Sequence, residues 1–160
     1  MNTTAVELPA APARSGLVAR VIALLERIPY SLLALLARCA GASVFWHSGS
    51  VKLDDWQGTL RLFEDEYKVP LIAPHIAAYM AAGMELGGSV LLLVGLATRA
   101  TAIAYLGMIA VIQLFVYPQA WPDHIQWVAF LVLLVARGPG VVSLDAFVAR
   151  YLASRRPAGR

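Results

Sequence analysis

The sequence predicts an all-α membrane protein, a four-transmembrane-helix bundle with amphipathic surface helices. Hydrophobic residues make up 59% of the 160-residue chain and charged residues only 14%, whereas soluble domains carry about 25% charged residues. The charges also cluster in the gaps between apolar runs, as the anchors that flank membrane helices do. A soluble domain of this size needs a charged exterior and a bilayer-embedded domain does not, so both observations favour membrane spans.

The four longest apolar runs define the domain organisation. A membrane domain is predicted over 17–153, between a disordered Ala/Pro-rich tail at 1–16 and a basic C-terminal tail at 154–160. The second and third spans are joined by a very tight turn, so they form a hairpin. The fourth span is short, because its residues cover only about 22 Å at helical rise. The predicted spans are residues 30–51, 71–96, 98–117 and 124–138.

Three shorter segments carry apolar residues on one helical face. Residues 17–28 fit a helix that lies on the membrane surface. Residues 56–67 fit a helix that covers the outer face of the bundle and ends before Pro70. In the C-terminal part, Ser143 is the predicted N-cap of a further amphipathic helix over 144–151.

The distribution of Lys and Arg predicts the orientation in the membrane. Three of these residues precede the first span, one lies at the turn that joins the second and third, and five lie at or beyond the end of the fourth, whereas the opposite side holds three. An excess of positive charge marks the cytoplasmic side, so both termini are predicted to be cytoplasmic. The net charge of +3 is not gathered on a basic face with interleaved aromatic residues, which argues against nucleic-acid binding.

Arg38 and Glu85 lie inside predicted spans, where a charge costs about 2.5–3.5 kcal/mol even on the lenient insertion scale. Arg38 lies 14 residues before Lys52, and Glu85 lies 14 residues after Leu71. Both offsets correspond to about 21 Å from the outer end. We therefore predict a buried charge pair between Arg38 and Glu85 that fixes the register of the first two spans. The alternative is that Glu85 takes part in proton transfer or ligand binding.

Polar and aromatic residues from several spans map to the outer half of the bundle. One interpretation is an interfacial belt of aromatic and polar side chains. The other is a convergent outer pocket that holds a quinone head group or a soft metal such as copper. Histidine spacing supplies only a weak metal signal, with His47, His75 and His124 as the candidate ligands, because no HxxxH or HExxH pair occurs. The predicted pocket residues are Trp46, His47, Lys52, His75, Tyr79, Gln113, Tyr117, Trp121, His124 and Trp127.

Several short motifs together resemble the DoxX family of bacterial four-helix membrane proteins, over about residues 32–152. The motifs are Arg38, Ser-Gly-Ser-Val-Lys at 48–52, Glu85 followed by glycines, Gly-Leu-Ala-Thr-Arg at 95–99, Gly-Pro-Gly at 138–140 and Ser-Leu-Asp at 143–145. The resemblance implies a helical bundle in the bacterial inner membrane with a loose link to redox chemistry. Family members resemble subunits of thiosulfate:quinone oxidoreductase or of complexes that deal with oxidative stress, and some accompany metal-handling peptides. The resemblance transfers no catalytic residue set.

These observations lead to functions from three classes. The leading hypothesis is a redox-associated membrane subunit that binds a quinone, or an electron-transfer partner, at the outer face; whether the chain is itself an enzyme stays open. The alternative is a non-enzymatic membrane scaffold, or an accessory for handling metals or metal-binding peptides, with membrane or periplasmic protein partners. The third is a small transporter that works as a homo-oligomer. The sequence does not identify a cofactor; a quinone is the first candidate, and copper or another metal is the second.

Overall fold

The computed structural model describes residues 16–155, and every regular element in that range is helical, which confirms the all-α prediction. The predicted tails at 1–16 and 154–160 lie almost entirely outside the described residues. The elements are α1 (Leu17–Leu25), α2 (Tyr30–Asp54), α3 (Trp56–Arg61), a π-helical segment (Leu62–Tyr67), α4 (Pro74–Val94), α5 (Thr98–Val111) with a π-helical extension (Ile112–Val116), a 3-10 turn (Pro118–Ala120), α6 (Trp121–Arg137) and α7 (Leu144–Ser154).

Two helices are long and apolar enough to cross a bilayer. They are α4, and α5 together with its extension (Thr98–Val116), which correspond to the predicted second and third spans. A third candidate arises if α1 and α2 form one broken span, bent by 63°. α6 has 17 residues and begins earlier than predicted, since Pro122 fits the first helical turn. The described residues therefore contain two or three candidate spans, and a crossing by α6 stays a prediction.

The outward faces of the bundle helices are apolar. Leu36 of α2, Leu93 of α4 and Ile103 of α5 are each more than half exposed. Many exposed apolar side chains on one small protein mark a surface that is covered by something other than water. Lipid chains provide that cover for the helices that are long enough to span a membrane.

The bundle is held together by close helix packing. α2 packs against α4 and α6, and α5 packs against the same two helices. Two glycines allow this approach, because Gly41 lies against the Leu92 side chain and Gly88 against the Tyr105 hydroxyl. Phe45 stacks on Tyr105 with ring centroids 3.8 Å apart. These contacts form one continuous core between the four long helices.

The predicted charge pair between Arg38 and Glu85 is wrong. Glu85 pairs with Lys52 instead, and Lys52 lies 14 residues beyond Arg38 on the same helix, which is about 21 Å. The depth of Glu85 was counted from Leu71, but α4 begins only at Pro74. The depths of Arg38 and Glu85 were therefore counted from different levels of the bundle. The two charges consequently lie at different levels of the bundle.

The Arg38 guanidinium donates all of its described hydrogen bonds to backbone carbonyl groups. Two acceptors belong to the last turn of α4, which has no helical partners for its carbonyls, and two belong to the segment before α7. These acceptors are the oxygens of Leu92 (2.8 Å), Leu93 (2.6 Å), Pro139 (3.2 Å) and Val142 (2.5 Å). Arg38 thus joins three parts of the chain at one end of the bundle.

The sequence motifs at 95–99, 138–140 and 143–145 meet around Arg38, and we call this region the turn end. The Asp145 carboxylate accepts hydrogen bonds from the N–H groups of Ala97 (2.7 Å) and Thr98 (2.9 Å), which begin α5. Gly95 has a φ of +70° and lies directly against the side chains of Ser143 and Arg38. A side chain at Gly95 would meet both the backbone strain and these neighbours.

The predicted amphipathic helices are present. α1 buries none of its residues, and Ser143 caps α7 by accepting a hydrogen bond from the N–H of Ala146. Residues 56–67, which we call the cavity cap, form α3 and the π-helical segment. The cavity cap packs onto the first turns of α4 through Phe63, which is buried against Ala77. It therefore closes the end of the bundle that lies opposite the turn end.

Candidate functional site

A cavity of about 490 Å³ lies beneath the cavity cap, between α2, α4, α5 and α6. Its walls are largely apolar, and they include Phe45, Phe63, Met80, Met84, Met108 and Val111. A smaller set of polar side chains interrupts them: Ser48, Lys52, Tyr67, Glu85, Tyr117 and His124. An apolar volume of this size with a few polar groups is typical of sites for small organic ligands.

The strongest polar feature of the wall is an ion pair between two helices. Lys52 Nζ of α2 lies 2.8 Å from Glu85 Oε1 of α4, and the Glu85 side chain is only 4% exposed. The Ser48 hydroxyl donates to the same carboxylate oxygen at 3.0 Å, and Lys52 in turn donates to the Ser48 oxygen. Because Ser48 and Lys52 are one helical turn apart, α2 presents both groups to Glu85 from one face.

Glu85 is held in place through its backbone as well. Its carbonyl oxygen accepts hydrogen bonds from the hydroxyls of Ser89 (2.5 Å) and Tyr105 (3.0 Å). Gly49 of α2 lies against the Glu85 side chain, at a position where a larger residue would push the two helices apart. The second carboxylate oxygen, Oε2, is buried and has no hydrogen-bond partner among residues 16–155. The site therefore contains one fixed carboxylate with one satisfied and one unsatisfied oxygen.

A buried histidine forms a second polar group in the wall. His124 lies near the start of α6, on the face that points into the bundle, and is 3% exposed. Its Nδ1 lies 2.6 Å from Oε1 of Gln113, whose amide group donates to the carbonyl of Pro118 at 2.7 Å. The His124 ring packs against Trp127 with centroids 5.2 Å apart. The irregular segment between α5 and α6 is thus tied to the cavity through Gln113.

Two tyrosines and a glutamate lie at the rim between the cavity cap and α5. The Tyr117 hydroxyl donates to the exposed carboxylate of Glu66 at 2.9 Å and lies 3.4 Å from the Tyr67 hydroxyl. Burial raises the pKa of Tyr117, and its hydrogen bonds with Tyr67 and Glu66 raise the pKa further. The Tyr117 hydroxyl therefore keeps its proton at neutral pH and holds the cavity cap against the end of α5.

The structure brings together only part of the predicted outer pocket. Lys52, Tyr117, His124 and Trp127 line the cavity, and Gln113 supports His124 from behind. Four predicted residues instead have exposed side chains away from it: Trp46, His47, His75 and Trp121. Tyr79 is also outside, where it packs on Trp56 with ring centroids 4.6 Å apart. Helix faces decide this outcome, because residues at one depth can point either to lipid or to the bundle interior.

Other cavity residues were missed by the sequence interpretation. Ser48 and Tyr67 were not predicted as site residues, whereas Glu85, for which ligand binding was the alternative to pairing with Arg38, lies in the cavity wall. The signal for Ser48 is its spacing of four residues from Lys52, which places the two on one helix face. Nothing comparable marks Tyr67, because its position depends on how the cavity cap docks.

The three histidines lie in two different environments. His47 and His75 are exposed, whereas His124 is buried in the cavity wall. Within residues 16–155, no group of three or more His, Cys, Asp and Glu side chains is placed to hold a metal ion. Binding of copper or another metal by these histidines therefore stays a prediction without support from the described residues.

Comparison with known proteins gives one finding about this chain. A family model described as DoxX matches residues 33–118, which is more than half of the sequence. The matched range includes Arg38, Lys52 and Glu85, and so covers the ion pair in the cavity wall. No curated protein and no solved structure gives a match.

Proposed function

The chain belongs to the DoxX family, and we propose that it is a redox-associated membrane subunit that binds a quinone in the cavity beneath the cavity cap. DoxX membership and the apolar helices make it an integral membrane protein. The quinone assignment rests chiefly on one observation, the Lys52–Glu85 ion pair in the wall of an apolar cavity. Burying an ion pair costs desolvation free energy. We therefore attribute this pair to fixing the helices or to binding a ligand, not to stability alone.

The chemistry of the cavity suits a ring with polar oxygens. Its volume of about 490 Å³ accommodates such a ring, and Phe45, Met84 and Met108 offer apolar contacts to the ring faces. The carbonyl oxygens of a quinone need a hydrogen-bond donor at the edge of the site, and the Lys52 ammonium group supplies one.

We further propose four crossings of the inner membrane, with α2, α4, α5 and α6 as the spans and both termini in the cytoplasm. The excess of Lys and Arg at the turn end supports this orientation. The cavity cap then lies at the periplasmic face. A reporter enzyme that works only in the periplasm should be active when it is fused after residue 67 or 120. A reporter that works only in the cytoplasm should be active when it is fused after residue 97 or 155. A cytoplasmic reporter at 67 would contradict the orientation.

Blocking the cavity tests the proposed binding directly. Gly107 lies in the cavity wall with no atom near the position of an added Cβ. Gly107→Leu should therefore fill the cavity without a backbone clash and abolish binding of a decyl-substituted benzoquinone, measured by equilibrium dialysis of protein in nanodiscs. Gly83→Leu is the matched control, because Gly83 has equal free space but lies on α4 outside this cavity. Equal affinities of wild type and Gly107→Leu would remove the proposed site.

A membrane scaffold is the second candidate, and one observation favours it. Gly83 and Gly87 lie one turn apart on the exposed side of α4, with no atom near the Cβ position of either. Small residues at this spacing let another transmembrane helix approach closely. Gly83→Leu should then abolish recovery of a partner, or of a second copy, from solubilised membranes while quinone binding persists. If Gly83→Leu recovers the same proteins as wild type, this face carries no contact.

A further inference from the structure

Two residues that line the cavity, Glu85 and His124, each have a hydrogen-bond acceptor with no donor among residues 16–155. The first is Glu85 Oε2, which is buried and unpartnered, whereas Oε1 of the same carboxylate is bound by Lys52 and Ser48. A carboxylate paired with an ammonium group can only accept hydrogen bonds. The protein covers Oε2 almost completely, so a ligand must displace neighbouring side chains to reach it. Because a buried acceptor without a donor is costly, a ligand that then donates a hydrogen bond to Oε2 removes that cost.

The second acceptor is a nitrogen of His124, and its identity follows from a chain of hydrogen bonds. The carbonyl of Pro118 can only accept, so the Gln113 amide nitrogen must point to it and the Gln113 oxygen must point to His124. His124 Nδ1 therefore carries the proton in that contact. In the neutral ring, Nε2 is then the acceptor with which His124 can meet a ligand.

Lys52 is the one charged donor among the described residues that line the cavity, beside the hydroxyls of Ser48, Tyr67 and Tyr117. Two of its three N–H groups are taken by Glu85 and Ser48, which leaves one for a ligand oxygen. A quinone carbonyl can accept from Lys52, but it leaves Glu85 Oε2 without a donor. A hydroxyl group can accept from Lys52 and donate to Oε2 at the same time, so it satisfies both groups.

We infer that the cavity selects the reduced, dihydroxy form of its ring ligand over the oxidised dione form. The inference rests on the proposed quinone function and specifies the redox form that this same site prefers. Glu85 Oε2 accepts one ring hydroxyl, and His124 Nε2 is an acceptor for the second. Selectivity of this kind arises because an unsatisfied buried group penalises the ligand that cannot pair with it.

Three ligands with one ring skeleton test the selectivity on the unmodified protein. They are a decyl-substituted benzoquinone, its hydroquinone kept under anaerobic conditions, and the dimethyl ether of that hydroquinone, which has no O–H donor. Their affinities for wild type in nanodiscs are measured by equilibrium dialysis. The hydroquinone should bind at least about tenfold more tightly than the quinone, as expected for one added hydrogen bond to a charged group. The dimethyl ether should bind no more tightly than the quinone.

A variant assigns the preference to Glu85. In Glu85→Gln the amide oxygen should stay with Lys52, so the amide N–H₂ takes the place of Oε2 and becomes a donor. The preference for the hydroquinone should then fall by about tenfold or reverse. Glu64→Gln removes an exposed carboxylate of the cavity cap that does not line the cavity, and it should keep the wild-type ratio.

The outcomes separate the inference from the proposed function. Binding of both redox forms with equal affinity, or tighter binding of the quinone, overturns the inference and leaves the quinone site standing. Failure of all three ligands to bind overturns the proposed function itself. If Glu85→Gln does not fold, the comparison of hydroquinone with dimethyl ether on wild type still decides the matter, because equal affinities there contradict a donor requirement.

Discussion

The two buried charges of this protein, Arg38 and Glu85, are equally hidden but differ in how completely they are bonded. Arg38 at the turn end donates to four carbonyl oxygens and leaves little of its hydrogen-bonding capacity unused. Glu85 in the cavity wall has one oxygen bound by Lys52 and Ser48 and another without any donor in residues 16–155. A buried charge with all its hydrogen bonds made stabilises the fold, whereas we propose that the incompletely bonded charge in the cavity wall serves ligand binding.

The largest expected effect follows from removing Arg38. Arg38→Ala should destabilise the protein by at least about 3 kcal/mol, because it removes four hydrogen bonds from the charged guanidinium group to backbone carbonyls. Folded yield after detergent extraction, measured by size-exclusion chromatography, should fall much more than for Glu85→Gln. Arg61→Ala, at an exposed arginine of α3, is the control and should behave as wild type. Equal yields of Arg38→Ala and wild type would show that the turn end does not depend on this side chain.

A somewhat smaller loss is expected when the charge in the cavity wall loses its partner. Lys52→Met should cost about 2 kcal/mol, because Glu85 stays buried without its ammonium group. Adding Glu85→Gln to Lys52→Met should restore part of that stability, since the neutral amide needs no counter-charge. Thermal inactivation of the single and double variants measures the coupling. Strictly additive losses would mean that the ion pair contributes nothing as a pair.

At the turn end, the contribution of Asp145 should be moderate. Asp145→Ala removes the acceptor for the first N–H groups of α5 and should cost about 1 kcal/mol. Ligand affinity should not change, because Asp145 is far from the cavity. The melting temperature and the benzoquinone affinity of the same preparation test both statements. A drop in affinity would reveal a link between the two ends that the contacts do not predict.

The smallest effect should come from the rim. Tyr117→Phe removes the hydroxyl that joins α5 to Glu66 and should lower stability by less than about 1 kcal/mol. The main effect of Tyr117→Phe should be faster dissociation of a bound ring ligand, because the cavity cap loses its hydrogen bond with Tyr117. Stopped-flow dissociation rates for Tyr117→Phe and wild type provide the measurement. Unchanged rates would show that ligands do not leave past this rim.

Sequence patterns predicted the helices well because hydrophobic periodicity and caps are local signals. The apolar stripe at 56–67 and the cap residue Ser143 both correspond to observed helices. The partner of Arg38 could not be predicted in this way. Depth was counted from a loop residue, Leu71, that lies before α4, and the carbonyls that bind Arg38 are backbone groups, which carry no sequence signal.

The sequence predicted how deep the site residues lie in the bundle but not the direction in which their side chains point. His124 and His47 were both assigned to the outer half, yet α6 turns the first into the cavity and α2 turns the second outward. The sequence does not show clearly which face of α2 or of α6 points into the bundle, because in a membrane protein the lipid-facing side is as apolar as the core. Only the packing of the four helices decides which polar residues meet.

Density for a bound ring ligand would test most directly whether Glu85 is a binding group and Arg38 a structural one. The measurement is a high-resolution map of the protein in nanodiscs, prepared with the decyl-substituted hydroquinone under anaerobic conditions. We expect density for one ring in the cavity, with an oxygen within hydrogen-bond distance of Glu85 Oε2. The carbonyl groups that accept hydrogen bonds from Arg38 should be unchanged. A ring bound elsewhere, or a cavity filled by rearranged side chains so that Oε2 gains a donor from the protein, would contradict it.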